Sequence, residues 1–311
     1  MDFLETLLNG LSLGGTYAII ALGYTMVYGI AKMLNFAHGD IIMVGSYIIW
    51  FTFLRLDCHP SISIALAIIC CVILGIVIER LAYRPLRGAP SLAVLITAIG
   101  VSSLLQGLPA ILDTISKSSN NSALKEKLSG ILNPLPIQDM VHTNKLVLFG
   151  VEFPISISAL VTILITVATM IALTVFIKKS KTGKAMVAVS ENRDAALLMG
   201  IHINKIIVVT FAIGSALAGV AATLMLTKGT PASPSFGALP GIVAFSAAVI
   251  GGIGSIPGAA LGGFLIGILE TFCNANSALS PYRNAIVFSV LIIILLFKPS
   301  GILGNPRREK V

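Results

Sequence analysis

Charge is scarce in this chain. Of its 311 residues, 11% are Asp, Glu, Lys or Arg and 56% are hydrophobic, with a mean hydropathy of +0.96. A soluble domain carries about 25% charge to hold its surface in water. A water-soluble globule is therefore excluded, and lipid must be the solvent for most of the chain. Catalytic motifs are missing as well: there is no HExxH, no GxSxG and no Cys-x-x-Cys. "GIGSIPGA" (252–259) is glycine-rich but lacks the Lys-Ser/Thr ending of a phosphate-binding loop, and "KTGKA" (181–185) fails the spacing. The chain is expected not to be an enzyme and to hold no cofactor. If ATP drives it, a partner must supply the nucleotide site.

The four cysteines make neither a disulfide framework nor a metal set. Cys70 and Cys71 are adjacent, so their side chains diverge on a helix. Cys58 is alone in a short loop, and Cys273 ends an apolar run. They are expected to be small apolar fillers. Ion coupling is poorly provided for, because the apolar runs hold almost no ionisable residues. Asp40, Glu79 and Glu270 all fall near run ends, and His38 with Asp40 makes a close acid–histidine pair.

What the chain does have is long charge-free runs: 6–31, 41–54, 58–78, 88–112, 153–177, 206–227, 229–269 and 284–297. A spanning helix needs about 20 apolar residues. The 41–54 run is short but can begin at Asn35 as an N-cap. The last can begin at Ser280, with Pro281 at the first helical position. The 229–269 run allows two short passes, or one pass plus a re-entrant piece. The expected fold is an all-α, polytopic transmembrane bundle of eight or nine membrane helices, with a broken or re-entrant segment. It is read as a single membrane domain over 1–311.

The formal net charge of +8 follows the membrane rather than a nucleic acid. Basic residues concentrate in 79–87, 178–205 and 298–310, whereas 113–155 carries four of each sign and 1–5 carries two acids. Basic loops stay on the cytoplasmic side. The N-terminus and 113–155 are therefore expected outside, and 178–205 and the C-terminus inside. That parity requires an odd number of crossings after Lys228. Acids before the first run, with no clear small-x-small site after it, argue against a cleaved signal peptide.

Three stretches stand out. In "LNFAHGDIIMVGSY" (34–47), Asn35, His38, Gly39 and Asp40 interrupt apolar sequence. They form either a solvated, helix-capping turn or part of a polar path. "SENRDAALLMGI" (190–201) reads as a short helix capped by Ser190, with Glu191 and Asp194 in its first turn and Gly200 as a left-handed stop. Its apolar residues sit in a loop that should face water, which suits docking onto a partner or packing on the chain's own helices. Finally, small residues four apart (Gly214/Ala218, Ser215/Gly219, Gly258/Gly262, Gly263/Gly267) allow close helix packing in lipid. "GLSLGGTYAIIALG" (10–23) faintly echoes "GAALGGFLIGILE" (258–270).

The segment "ENRDAALLMGI" resembles the coupling loop of ABC importer membrane subunits, with Asp194, Ala195, Ala196 and Gly200 at matching spacing; Asp stands where the general pattern has Glu. "LNFAHGDIIMVGSY", "AYRPLRGAPSLAVLITAIGVS" (82–103) and "AFSAAVIGGIGSIPGAALGGFLIGILE" (244–270) resemble the branched-chain amino acid permease group of that superfamily. The resemblance implies a subunit of the bacterial inner membrane that pairs with a second, related permease. Two cytoplasmic ATPases would grip the coupling helices, here Glu191, Asp194, Ala195, Ala196 and Gly200. An extracytoplasmic binding protein would deliver leucine, isoleucine or valine. Urea or short amides are alternative cargoes, and a stand-alone channel or ion-coupled carrier is the alternative machine. Related sugar permeases carry a Gly-x-Asp…Gly segment in a broken helix lining the path, and "HGDIIMVG" is similar. Asn35, His38, Gly39 and Asp40 are thereby implied as path residues.

Overall fold

A computed structural model describes residues 3–118, 131–132, 145–148 and 151–304. Pro134, Pro136 and the basic end of the chain from 305 onward lie outside the described residues. The helices are α1 (Phe3–Ala31), α2 (His38–Trp50, continued by a π-helical turn Phe51–Arg55), α3 (Pro60–Ile78, then a π turn Glu79–Tyr83) and α4 (Ser91–Ser118). After the 113–155 insertion come α5 (Ile157–Lys179), α6 (Lys181–Glu191), α7 (Arg193–Leu198), α8 (Ile203–Leu226), α9 (Ala238–Gly251), α10 (Ile256–Ala275) and α11 (Arg283–Phe297). The strands among the described residues are a small antiparallel pair in the 113–155 insertion, β1 (Lys145–Leu148) and β2 (Val151–Ser156), with Leu148 opposite Val151.

Seven of these helices are long and apolar enough to cross a membrane; in the last, the Ser280–Tyr282 turn runs on into α11. With the shorter apolar helix α9 the described residues hold eight, and the bundle is polytopic and helical as the charge-free runs require. The last span differs locally from its expected start. Ser280 opens a 3-10 turn, Ser280–Tyr282, and α11 begins only at Arg283.

The chain forms two compact units. The first comprises Met1–Lys32, His142–Thr210 and Ile242–Val311. Its centre is the seam between α1 and α10. A Cβ at Gly10 would stand 2.9 Å from the Ile268 Cα, and one at Gly14 2.7 Å from the Phe264 Cα. Gly263 and Gly267 meet the backbones of Ala18 and Gly14 in return. The pairing descends along one helix as it rises along the other, so the two run antiparallel. The echo between 10–23 and 258–270 is thus two small-residue faces pressed together. Apolar burial does not drive helices together inside lipid, and close backbone contact supplies dispersion instead. Within the same unit Glu270 is buried on α10. It accepts a hydrogen bond from Tyr17 Oη at 2.8 Å, and Arg283 stands 3.5 Å away. The turn before α10 is held by Gly252 and Gly254, both at positive φ, and Ser255 caps the helix by accepting from the Gly258 amide.

The second unit comprises Met33–Val141 and Phe211–Gly241. Here α3 packs on the end of α8: Gly219 faces Ile68, Gly75 faces Ser215, and Gly45 of α2 meets Cys71 and Ala222. Cys71 is buried, and all four cysteines are free thiols. Glu79, fully buried, pairs with Arg87 across the "AYRPLRG" turn. Large apolar side chains on α3 and α4 point outward along their lengths, among them Ile69, Ile73, Leu104 and Ile111. Such faces are at home in hydrocarbon and costly in water.

Candidate functional site: a broken helix and an apolar-tipped loop

Residues 32–37 are not helical, and α2 starts abruptly at His38. Asn35 is not its cap. The N-cap is Ala37, which offers no side-chain acceptor. Asn35 instead closes the preceding turn, its carbonyl accepting from the His38 amide at 3.1 Å. Its side-chain oxygen accepts from Tyr83 Oη at 3.0 Å, and Tyr83 also reaches the Leu34 carbonyl at 3.4 Å. Tyr83 is itself fully buried against Phe211, ring centroids 5.3 Å apart. The sequence carried no local sign of this brace, because its partners are 48 positions apart.

The polar residues of the break are not solvated. Asn35 is 3% exposed, His38 1% and Asp40 2%. Asp40 lies in the first turn of α2 and accepts from Gln106 Nε2 of α4 at 2.8 Å; Gln106 also bonds Ser102 at 3.1 Å. The reading of this stretch as a plain solvated turn therefore fails.

Gly39 has a further partner. Its backbone presses on that of Gly237, the residue just before α9, closely enough that a Cβ on either glycine would collide with the other's carbonyl. Two short helices thus begin at one point. α2 has 13 residues and α9 has 14. At 1.5 Å per residue each is about 20 Å long, against a hydrocarbon core of about 30 Å. Neither regular helix spans alone. Irregular backbone within a bilayer survives only where protein or water covers it, and here glycine covers glycine. Each helix start also carries a partial positive charge from its free N–H groups, so the meeting point favours electron-rich groups, Asp40 among them.

The second candidate region lies in the first unit. Ser180 ends α5 and caps α6, accepting from the Gly183 amide at 2.8 Å. The expected cap Ser190 sits inside α6, and Glu191 is the last residue of that helix rather than the first turn of the next. The cap of α7 is Asn192, whose side chain accepts from the Asp194 and Ala195 amides, each at 3.0 Å. Asn competes as well as Ser for this position, so the boundary moved by two residues. Helix α7 is six residues, shorter than the sequence suggested, and Gly200 at φ +79° ends it as expected.

Of the named coupling residues, Glu191, Asp194, Ala195 and Gly200 are exposed, while Ala196 is 3% exposed and faces inward. The conspicuous surface is apolar: Leu197, Leu198 (89% exposed) and Met199 (82%). These three were legible as an apolar run but not as the outward face. Arg193 donates to the carbonyl of Ala31, tying the loop to the last turn of α1. Among the described residues no cluster of three His, Cys, Asp or Glu side chains is arranged to hold a metal ion.

A polytopic helical bundle with a buried helix break and an apolar-tipped loop has the features of a transport permease. Residues 6–296 match the family described as "Branched-chain amino acid transport system / permease component", and the chain belongs to that family. It is 43% identical to the high-affinity branched-chain amino acid transport system permease protein BraD of Pseudomonas aeruginosa, over 99% of this chain and 98% of the relative. It is 39% identical to LivH of Escherichia coli K12 over the same shares of both chains. A probable branched-chain amino acid transport permease from Methanocaldococcus jannaschii is 31% identical over 92% of this chain and 88% of its own length.

Proposed function

We propose that this chain is the membrane subunit of an ATP-driven importer for branched-chain, apolar amino acids. The observation that carries this reading is similarity along the whole chain to permeases named for that transport system, 43% identical in one case. The buried acids agree with it. Asp40, Glu79 and Glu270 are each bonded to protein partners, an arrangement that suits structure better than the loading and release of a coupling ion.

In this reading two cytoplasmic ATPases receive α7 through Leu197, Leu198 and Met199, with Asp194, Ala195 and Gly200 shaping the helix and Glu191 ending the one before it. The chain brings no nucleotide site or cofactor of its own. A second, related permease completes the path, and a binding protein delivers cargo from outside. Displacement of α7 pulls through Arg193 on the end of α1. From Ala31 the chain runs through Lys32–Ala37 into the break at His38, Gly39 and Asp40, which lines the path. The protein lies in the inner membrane, N-terminus outside and the 178–205 loop inside.

The test is uptake of radiolabelled leucine into proteoliposomes holding the permease pair, both ATPases and the binding protein. Uptake is expected only with ATP and all components present. Uptake by the permease alone, or of urea in place of leucine, overturns the assignment. Labelling of a cysteine placed by Asp194→Cys, from outside intact cells, would overturn the orientation.

A further inference from the structure

Asp40 is a buried acid with no cation beside it. It is 2% exposed, and the side chain bonded to it, Gln106, is an uncharged amide. Ion pairs among the described residues join Glu79 to Arg87, Asp113 to Lys117 and Glu270 to Arg283, and Asp40 is in none of them. A buried carboxylate of this kind attracts a cationic group that comes near, because a low dielectric strengthens the attraction. Asp40 itself is closed off from such a visitor, but Gln106, which stands in front of it, is not.

Gln106 lies near the middle of α4, a helix of 28 residues. Its orientation follows from the chemistry of its partner. An ionised carboxylate only accepts, so the amide nitrogen faces Asp40, with Nε2 donating to Oδ1 at 2.8 Å. The second hydrogen of that nitrogen serves Ser102 Oγ, one turn back on α4, at 3.1 Å. Both donors are thereby used, and Oε1 is turned away from the carboxylate. Among the described residues nothing donates to Oε1, and Gln106 is partly exposed. That exposure is not on the hydrocarbon side of α4. Leu104, 66% exposed, is two residues away and so about 200° around the helix. An amide oxygen left unbonded inside a bilayer costs several kcal/mol, so Oε1 belongs against water or a polar passenger.

We propose that Gln106 is the acceptor in the path for the ammonium group of the passing amino acid, with Asp40 behind it as the positioning residue. An ammonium carries three donors and no acceptor, so it needs oxygens. Oε1 is one, and its amide is already bonded to a carboxylate; hydrogen bonds linked in this way polarise one another. Asp40 fixes which end of the amide faces outward and supplies the attraction without being touched. The amine is what separates an amino acid from the matching carboxylic acid, so this contact selects for amino acids and is indifferent to the apolar side chain. A single acceptor with a charge behind it holds cargo weakly enough to let it leave. This assignment rests on the reading of the break as part of the path, and adds to it a side chain from α4.

Two measurements on the full complex in proteoliposomes test it. Ser102→Cys places a thiol beside Gln106 and keeps the Asp40–Gln106 bond, in a chain also carrying Cys58→Ala, Cys70→Ala, Cys71→Ala and Cys273→Ala. A cationic methanethiosulfonate should modify that thiol about tenfold faster than an anionic one, each rate taken relative to a free thiol in water, and Asp40→Asn should remove most of the preference. The second measurement exchanges the pair. Asp40→Asn with Gln106→Glu keeps the hydrogen bond and the total charge, now with a carboxylate oxygen facing the path. Leucine uptake should recover to roughly a third of normal or better, where Asp40→Asn alone falls severalfold, although that single variant also keeps its bond to Gln106. A reactive thiol without charge preference, or an exchanged pair no better than Asp40→Asn alone, overturns the role of Gln106 and leaves the path reading standing. An inert thiol with uptake lost in Asp40→Asn means that the path runs elsewhere than α4, which also overturns it. An inert thiol with normal uptake in Asp40→Asn removes the break from the path, and the role of Gln106 falls with that reading. Should the exchanged pair fail to accumulate, the labelling decides alone.

Discussion

The break at 32–40 and the loop at 193–200 are opposites. At the break, polar residues are buried: Asn35, His38 and Asp40 sit inside protein in a chain that has few polar residues to spare. At the loop, apolar residues are exposed: Leu198 and Met199 stand almost bare although the chain could bury them elsewhere. Each inverts the usual relation between residue type and surroundings. Where the inversion is internal, the structure supplies partners (Tyr83 for Asn35, Gln106 for Asp40). Where it is external, the described residues supply none, and the proposed function sets a partner there. Residue type alone marks neither place as functional; the mismatch with burial does.

The sharpest way to break this contrast is at the internal site. Gly237→Val forces a side chain into the Gly39 backbone, and neither backbone has room to yield. Overpacking of this kind costs about 3 kcal/mol or more, so the chain should fail to accumulate in membranes; normal levels on immunoblots would show that the two helix starts do not meet. Next comes the external site. Leu198→Glu should leave folding intact, because the side chain is 89% exposed. It should weaken ATPase association by about 2 kcal/mol, roughly 30-fold, measured by co-purification, with uptake falling in step. Ala196→Arg, by contrast, should impair folding too, since Ala196 faces inward. Retention of the ATPases by the Leu198 variant would mean that the apolar tip is covered by something else.

A smaller effect is expected at the brace. Tyr83→Phe leaves the buried Asn35 oxygen without its donor and should cost about 1–2 kcal/mol, read as a lower melting temperature in detergent. The smallest change in stability is expected from Asp40→Asn. The amide oxygen still accepts from Gln106, so stability should fall by less than about 1 kcal/mol, while leucine uptake drops severalfold if the carboxylate faces the path. Normal uptake in that variant would restrict Asp40 to a structural role.

Much of the fold was legible because hydrocarbon punishes charge locally. A long run without Asp, Glu, Lys or Arg marks membrane-spanning helix, so α1, α3, α4, α5, α8, α10 and α11 follow from the charge map. The short helix at 193–198 was legible because Asp194 and Gly200 act within one helical turn and its stop. Cap positions were less so. Ala37 displaced Asn35, whose side chain is held by Tyr83, and Asn192 displaced Ser190, since Asn and Ser serve as caps about equally well. The contacts that organise the interior were not legible at all. Tyr17 and Glu270 are 253 positions apart, and nothing near either announces the other.

By itself, the sequence determined that this is a membrane protein, where its spans lie, and which family it belongs to, because each of these depends on composition and order over short lengths. Tertiary structure alone decided that two short helices start from a glycine-to-glycine contact, that Asn35, His38 and Asp40 are buried, and that Leu198 and Met199 are not. Those outcomes depend on which distant backbones approach closely enough to touch. Small residues permit such approach in many places, and only the folded chain selects among them.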